Sequence, residues 1–202
     1  SSDVCSSDLK YGTRYSLDYL LLTAQGYQES RLDPDARNPS GAVGIMQIKP
    51  STAAAPPISI RNVHKTENNI HAGTKYIRFI IDRYYASEAM SDLDRMLFAF
   101  ASYNAGPNRI DRLRKKAARQ GLDPNVWIGS VEIVAGREIG QETVRYVSNI
   151  FKYYLAYKMV TEDEARRQAS PLEGEMRYMA DAARFTDCQT GRSYPIAMKG
   201  DY

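Results

Sequence analysis

Between Ala24 and Gln47 the chain changes character twice, and that stretch limits its fold more than any other. Leu17, Leu20, Leu21, Ala24 and Gln28 recur at helical spacing, with Tyr27 beside them, and predict a helix with Ser16 as its N-cap. The helix carries one carboxylate, Glu29, near its end. It must stop before Pro34, because the residue ahead of a proline avoids the α region. Turn formers follow from Asp33 to Gly41, and a glycine-bearing loop leads through Gly44 to Met46 and Gln47. A carboxylic acid on a rigid element, facing a loop with an amide and an apolar wall, is how a proton-donor site is built.

The rest of the chain repeats the helical theme. Ser51 and Thr52 open a short piece that Pro56-Pro57 stops. A longer helix follows Thr66, with Ile70, Ile77, Ile80, Ile81 and Tyr84 on one stripe. Ser91 to Asp94 is a capping-box pattern, and Leu93, Met96, Leu97 and Phe100 form the expected buried face of the helix it opens. Pro107 suits the first turn of another helix, stopped by Gly121. Gly121 to Gly140 reads as loop and short turns around Trp127. The last strong helix is expected from about Glu142 to Val160, with Val144, Val147, Phe151, Tyr154 and Leu155 inward. Thr161 to Glu164 is a second capping box that opens a polar helix. No segment reads as sheet and no 20–50-residue repeat is present. The expectation is a mainly α domain over 11–165, with a tail of uncertain structure over 166–202. Residues 1–10 are set aside as a non-native or linker segment, since the fragment SSD recurs without apolar period.

Composition excludes some functions. The chain has 202 residues, 25% of them charged, with a net charge of +3. That balance favours an acidic partner weakly and does not demand nucleic acid. The basic run Arg109, Arg112, Arg114, Lys115, Lys116 and Arg119 lacks the aromatic interleaving of a nucleic-acid surface and reads as a solvated face. Two cysteines and two histidines make no zinc spacing, so neither a metal nor a cofactor is expected, and His64 and His71 are read as surface residues. No apolar run reaches the ~18 residues of a membrane span.

Glu29 is the leading candidate for chemistry. Buried among apolar groups, its carboxyl would have a raised pKa and could donate a proton near neutrality. Taken alone, a glutamate on a helix is more often solvated. Glycoside hydrolysis uses two carboxylates, but Asp33 and Asp35 are better read as turn residues. One acid without a second implies a substrate that supplies its own nucleophile. Gly41 and Gly44 are ordinary turn glycines or a backbone approached closely by a ligand. Tyr103 and Asn104 end an apolar helix, as a core aromatic and a cap or as groups held over a sugar ring.

Six blocks then stand in a telling order: Glu29-Ser30; Gly41 to Gln47; Pro50-Ser51-Thr52-Ala53; Asn69, Ala72-Gly73 and Tyr76; Ala101 to Pro107; and Glu142 to Val147. Over about residues 16–160 the chain resembles the catalytic domain of the soluble lytic transglycosylase family, related to goose-type lysozyme. Arg119 to Pro124, with Trp127, resembles the membrane-bound lytic transglycosylase F branch, in which a solute-binding-like domain precedes the catalytic one.

The resemblance implies a lysozyme-like α fold. It also implies cleavage of the β-1,4 bond between N-acetylmuramic acid and N-acetylglucosamine of peptidoglycan, leaving 1,6-anhydro ends. It makes Glu29 the single acid/base. Ser30, Asn38, Met46, Gln47, Tyr103, Asn104 and Glu142 become substrate-site residues. Asn38 departs from the serine often found there, which alters substrate contact. The implied partner is the peptidoglycan strand, the place is the periplasm or cell envelope, with outer-membrane association in a longer protein, and the state is a monomer. The alternatives are a goose-type-lysozyme-like hydrolase and a non-catalytic peptidoglycan-binding module.

Overall fold

The computed structural model describes residues 2–86, 89–169, 183–186 and 193–196. Eight α-helices carry the fold: α1 Ser2–Tyr15, α2 Tyr19–Ser30, α3 Pro50–Ala54, α4 Thr66–Tyr84, α5 Asp92–Ala105, α6 Pro107–Arg119, α7 Glu132–Glu138 and α8 Gln141–Ala169. A kinked turn, Trp127–Val131, leads into α7. The mainly helical class expected from the apolar periods is the one observed.

Two helices are surrounded by the others. Every residue from Leu20 to Gly26 on α2, and from Met96 to Ser102 on α5, is buried. A helix buried all round is a core element, whereas a surface helix buries one stripe. α8 lies across both, and its inward stripe is Tyr146, Val147, Ile150, Tyr153 and Tyr157. The expected core residues Leu20, Leu21, Ile77, Ile80, Ile81, Leu97, Phe100 and Val147 fall in this cluster, with Phe151 packed on its rim. Trp127 fills a slot edge-on to Phe98, ring centres 5.5 Å apart.

Several local expectations are corrected. Ser16 does not cap α2. It ends α1 in the left-handed region (φ 54), where the Leu17 amide bonds back to the Gly12 carbonyl at 2.8 Å. Asp18 is the cap, its carboxylate accepting from the Leu20 amide at 2.9 Å. Residues 2–10 are helical rather than outside the fold, and Val4, Asp8 and Tyr11 are buried on one face of α1, which packs on α2 and α4. Leu93 and Leu155 are exposed, because Leu155 lies off the α8 stripe and Leu93 precedes the buried turns of α5.

Thr161 opens no new helix. No glycine or proline interrupts α8, and the Thr161 hydroxyl donates to the Lys158 carbonyl at 2.9 Å within it. His71 is half-buried, stacked on Tyr11 at 4.2 Å, not a surface residue. Burial and nearby cations push its imidazole down to about 4. Arg114 leaves the solvated face of α6 to bond the Pro124 carbonyl and the Asn125 side chain.

A two-stranded antiparallel hairpin pairs β1 Ala183–Thr186 with β2 Ser193–Ile196. Four-residue strands are too short for an alternation signal, which is why no sheet was legible. The remaining tail positions lie outside the described residues.

Candidate active site

Glu29 sits in the last turn of α2, and Arg31, left-handed at φ 57, closes the helix. Across from it stands Tyr146 of α8, whose hydroxyl donates to Glu29 Oε1 at 2.5 Å. Gln25, one helical turn before Glu29 and fully buried, reaches the same hydroxyl with Nε2 at 3.4 Å. Glu29 as a residue is partly exposed, yet protein encloses enough of its carboxyl that desolvation dominates. Burial pushes its pKa up to about 7, and the Tyr146 hydrogen bond pulls the other way. A raised carboxyl binds its proton more tightly folded than unfolded. Its contribution to stability is therefore complete below about 4.5 and lost as pH rises through about 7.

The opposite wall is the loop from Ala36 to Ile48, and one buried side chain shapes it. Asn69 of α4 accepts from the Met46 amide at 2.8 Å and donates to the carbonyls of Val43 at 2.8 Å and Val63 at 2.9 Å. The loop backbone must come down onto this amide, which explains Gly44. At φ 72 it is already left-handed, and a Cβ there would lie 2.5 Å from Asn69 Nδ2. Gly73 serves the same approach, since its Cβ would meet Met46 Cβ at 2.7 Å. The close neighbour of Gly44 is thus the protein itself rather than a ligand.

The residues expected at the site take different places. Ser30 ties the end of α2 to the loop, its hydroxyl donating to the Ile45 carbonyl at 2.9 Å. Met46 is fully buried, and what it turns toward the site is its carbonyl, which accepts from the Tyr103 hydroxyl at 2.7 Å. Burial first, and the nearby Glu29 charge second, hold that phenol well above its usual value, so it stays protonated. Gln47 donates across the loop to the Gly44 carbonyl at 2.9 Å. Asn38 is exposed in the same loop, its Oδ1 accepting from the Ser40 amide. Asp33 Oδ1 accepts from the Asp35 amide at 2.9 Å, the turn use expected of that pair.

Asn104 and Glu142 both line an open groove of about 510 Å³, together with Gln28, Arg145, Tyr146 and Asn149. Asn104 Oδ1 accepts from the Thr143 hydroxyl at 2.8 Å, joining the end of α5 to the start of α8. Gln25 was not singled out from the sequence, and Asn69 and Tyr146 stood in the matching blocks without a role of their own. Tyr146 lies four residues beyond Glu142, but nothing local tells that its partner is 117 positions away. Chemically, the site holds one carboxyl poised near neutrality, hydrogen-bonded to the Tyr146 phenol and close enough to Tyr103 for its charge to be felt there, and Tyr146 also lines the open groove.

The fold and this site define a lysozyme-like helical domain with a largely enclosed acid, Glu29, at the end of its central helix α2. The chain resembles in structure an inactive mutant of the lytic transglycosylase Slt from Pseudomonas aeruginosa (TM-score 0.58, 22% identity, covering 78% of this chain and 24% of that one). It also resembles the 70 kDa soluble lytic transglycosylase from Escherichia coli (TM-score 0.50, 25% identity, 76% and 24%). In sequence it is 32% identical to a membrane-bound lytic murein transglycosylase F from Marinobacter nauticus, over 92% of this chain and 38% of the relative. It is 36% identical to one from Shewanella woodyi, over 72% and 33%.

Residues 8–125 match the Transglycosylase SLT domain, and the chain belongs to that family. Residues 166–202 match the NlpE C-terminal OB domain, a stretch that includes both short strands. The chain spans roughly a third of the length of the curated relatives it matches.

Proposed function

We propose that the domain is a peptidoglycan lytic transglycosylase acting through Glu29 alone. The observation that carries this reading is the Glu29 carboxyl at about 7, enclosed by protein and held by Tyr146. Protonated Glu29 gives its proton to the glycosidic oxygen between N-acetylmuramic acid and N-acetylglucosamine as that bond breaks. The resulting carboxylate takes the proton of the muramic C6 hydroxyl as that oxygen bonds to C1. One proton leaves and one returns, no water is consumed, and the product ends in 1,6-anhydromuramic acid. Because the C6 hydroxyl is tethered to the reacting sugar, its effective concentration is large and no bound water is needed.

Asn104 and Glu142 line the groove for the sugars, with Gln28 and Asn149 beside them. Tyr103, Ser30, Met46 and Gln47 act by holding the loop and α2 in register, and Asn38 meets substrate from the exposed loop. The place of action is the cell envelope, facing the periplasm. A further domain upstream and association with the outer membrane complete this reading, which fits relatives of which the chain covers only 38% and 33%.

Digestion of peptidoglycan in ¹⁸O-water tests the reaction type. Anhydro ends free of label are expected. Reducing muramic ends carrying ¹⁸O would make the enzyme a hydrolase of the goose-type kind, with a second acid such as Glu142 directing water.

A second test reads the role of Tyr146. Protonated Glu29 is the reactive form, so kcat/KM should fall about tenfold per pH unit on the alkaline side of the Glu29 pKa, about 7 in the parent. The Tyr146 hydrogen bond favours the carboxylate. Tyr146→Phe should therefore raise the Glu29 pKa and move this limb to higher pH. An unmoved or acid-shifted limb would remove Tyr146 from the proton-transfer unit.

A further inference from the structure

We propose that a stripe of free arginines on α6, Arg109, Arg112 and Arg119, binds the carboxylates of the peptide stems that hang from the glycan strand. The inference rests on the reading of the domain as a peptidoglycan enzyme. It adds a site for the part of the substrate that the cleft chemistry does not touch.

The charge is concentrated to an unusual degree. α6 carries six cations against the single acid Asp111, more net positive charge than the +3 of the whole chain. Arg114 is used internally, and Lys115 and Lys116 pair with Asp111 and Glu138 at 2.7 and 2.6 Å. Arg109, Arg112 and Arg119 are exposed and make no ion pair among the described residues. Their spacing puts them on one side of the helix. They line a second open groove of about 480 Å³, walled by Glu138 and Ile139 at the end of α7.

Position and shape point to the stem. α6 begins at Pro107, three residues after Asn104 of the sugar groove. From Arg109 to Arg119 the stripe runs about 15 Å along the helix. A stem of four or five extended residues reaches roughly 13–18 Å. Guanidinium forks match carboxylates in geometry and charge. Glu138, the one acid in the groove wall, is taken up by Lys116, so the three arginines leave the groove a net positive charge for an anionic ligand.

The test compares peptidoglycan bearing stems with the same glycan stripped of them by an amidase. Arg109→Gln, Arg112→Gln and Arg119→Gln are combined. On stem-bearing substrate KM should rise about fivefold, the size expected of a few exposed charge pairs. kcat should change less than about twofold. On stripped glycan the variant and parent should agree. The Arg→Lys triple variant keeps the charge and should recover most of the loss.

Co-sedimentation with stem-bearing peptidoglycan, in a Glu29→Gln background, reads binding without turnover, and binding should weaken with salt and with the triple variant. If the parent turns over neither substrate, the reading of Glu29 fails while co-sedimentation still decides the stripe. Equal KM and equal co-sedimentation for variant and parent on stem-bearing peptidoglycan overturn the proposal. So does loss of binding to anionic phospholipid vesicles with the stem preference intact.

Discussion

Glu29→Gln is expected to keep the fold and lose nearly all turnover. Glutamine has the same shape, and its amide oxygen still accepts from the Tyr146 hydroxyl, so the contact at 2.5 Å has a substitute. What it lacks is a proton to give. Loss of a general acid costs ~10²–10⁴-fold, and in the proposed mechanism one group serves both bond breaking and bond making. Above about pH 7 the substitution also removes a buried charge. The thermal midpoint should then equal or exceed that of the parent. Soluble muropeptide release, followed beside a melting curve, checks both halves. Near-parental release by a folded variant would end the assignment of Glu29.

Asn69→Ala is expected to damage stability more than any substitution in the cleft. Three buried backbone groups, the Met46 amide and the Val43 and Val63 carbonyls, would lose their partner together. Each orphaned buried group costs ~1–3 kcal/mol, so a total of about 3–5 kcal/mol is reasonable. Activity should fall as well. The Met46 carbonyl that anchors Tyr103 belongs to the same loop, and the phenol would lose its fixed place beside Glu29. Urea unfolding of the variant and parent gives the stability term. A change below about 1 kcal/mol would mean that the loop is held from elsewhere.

These two outcomes probe different halves of one construction. Glu29 is positioned by a helix end, whose geometry local sequence governs. The loop facing it is positioned by Asn69, Gly44 and Gly73, which must fit one another across more than twenty residues. Ser30 links the halves, donating from the end of α2 to the Ile45 carbonyl.

Much of the architecture is legible in the chain because helix signals are local. The stripe Ile70, Ile77, Ile80, Ile81, the cap Ser91 and the stop before Gly121 each depend on residues within one or two turns, and α4, α5 and α6 appear where those signals stand. Glu29 is legible too, as a lone acid at the end of an apolar helix before a proline turn. The sequence does not tell which helices lie at the centre. α2 and α5 read as one-sided, yet both are buried all round, because neighbours distant in the chain close over their polar flanks.

Nor does the sequence tell that Met46 turns inward and lends only its carbonyl, or that Tyr146 meets Glu29. The raised Glu29 pKa belongs to this second group. A carboxyl is shifted by the protein that surrounds it and the hydroxyl it touches, and both come from chain segments that only the packing of α8 against α2 brings together.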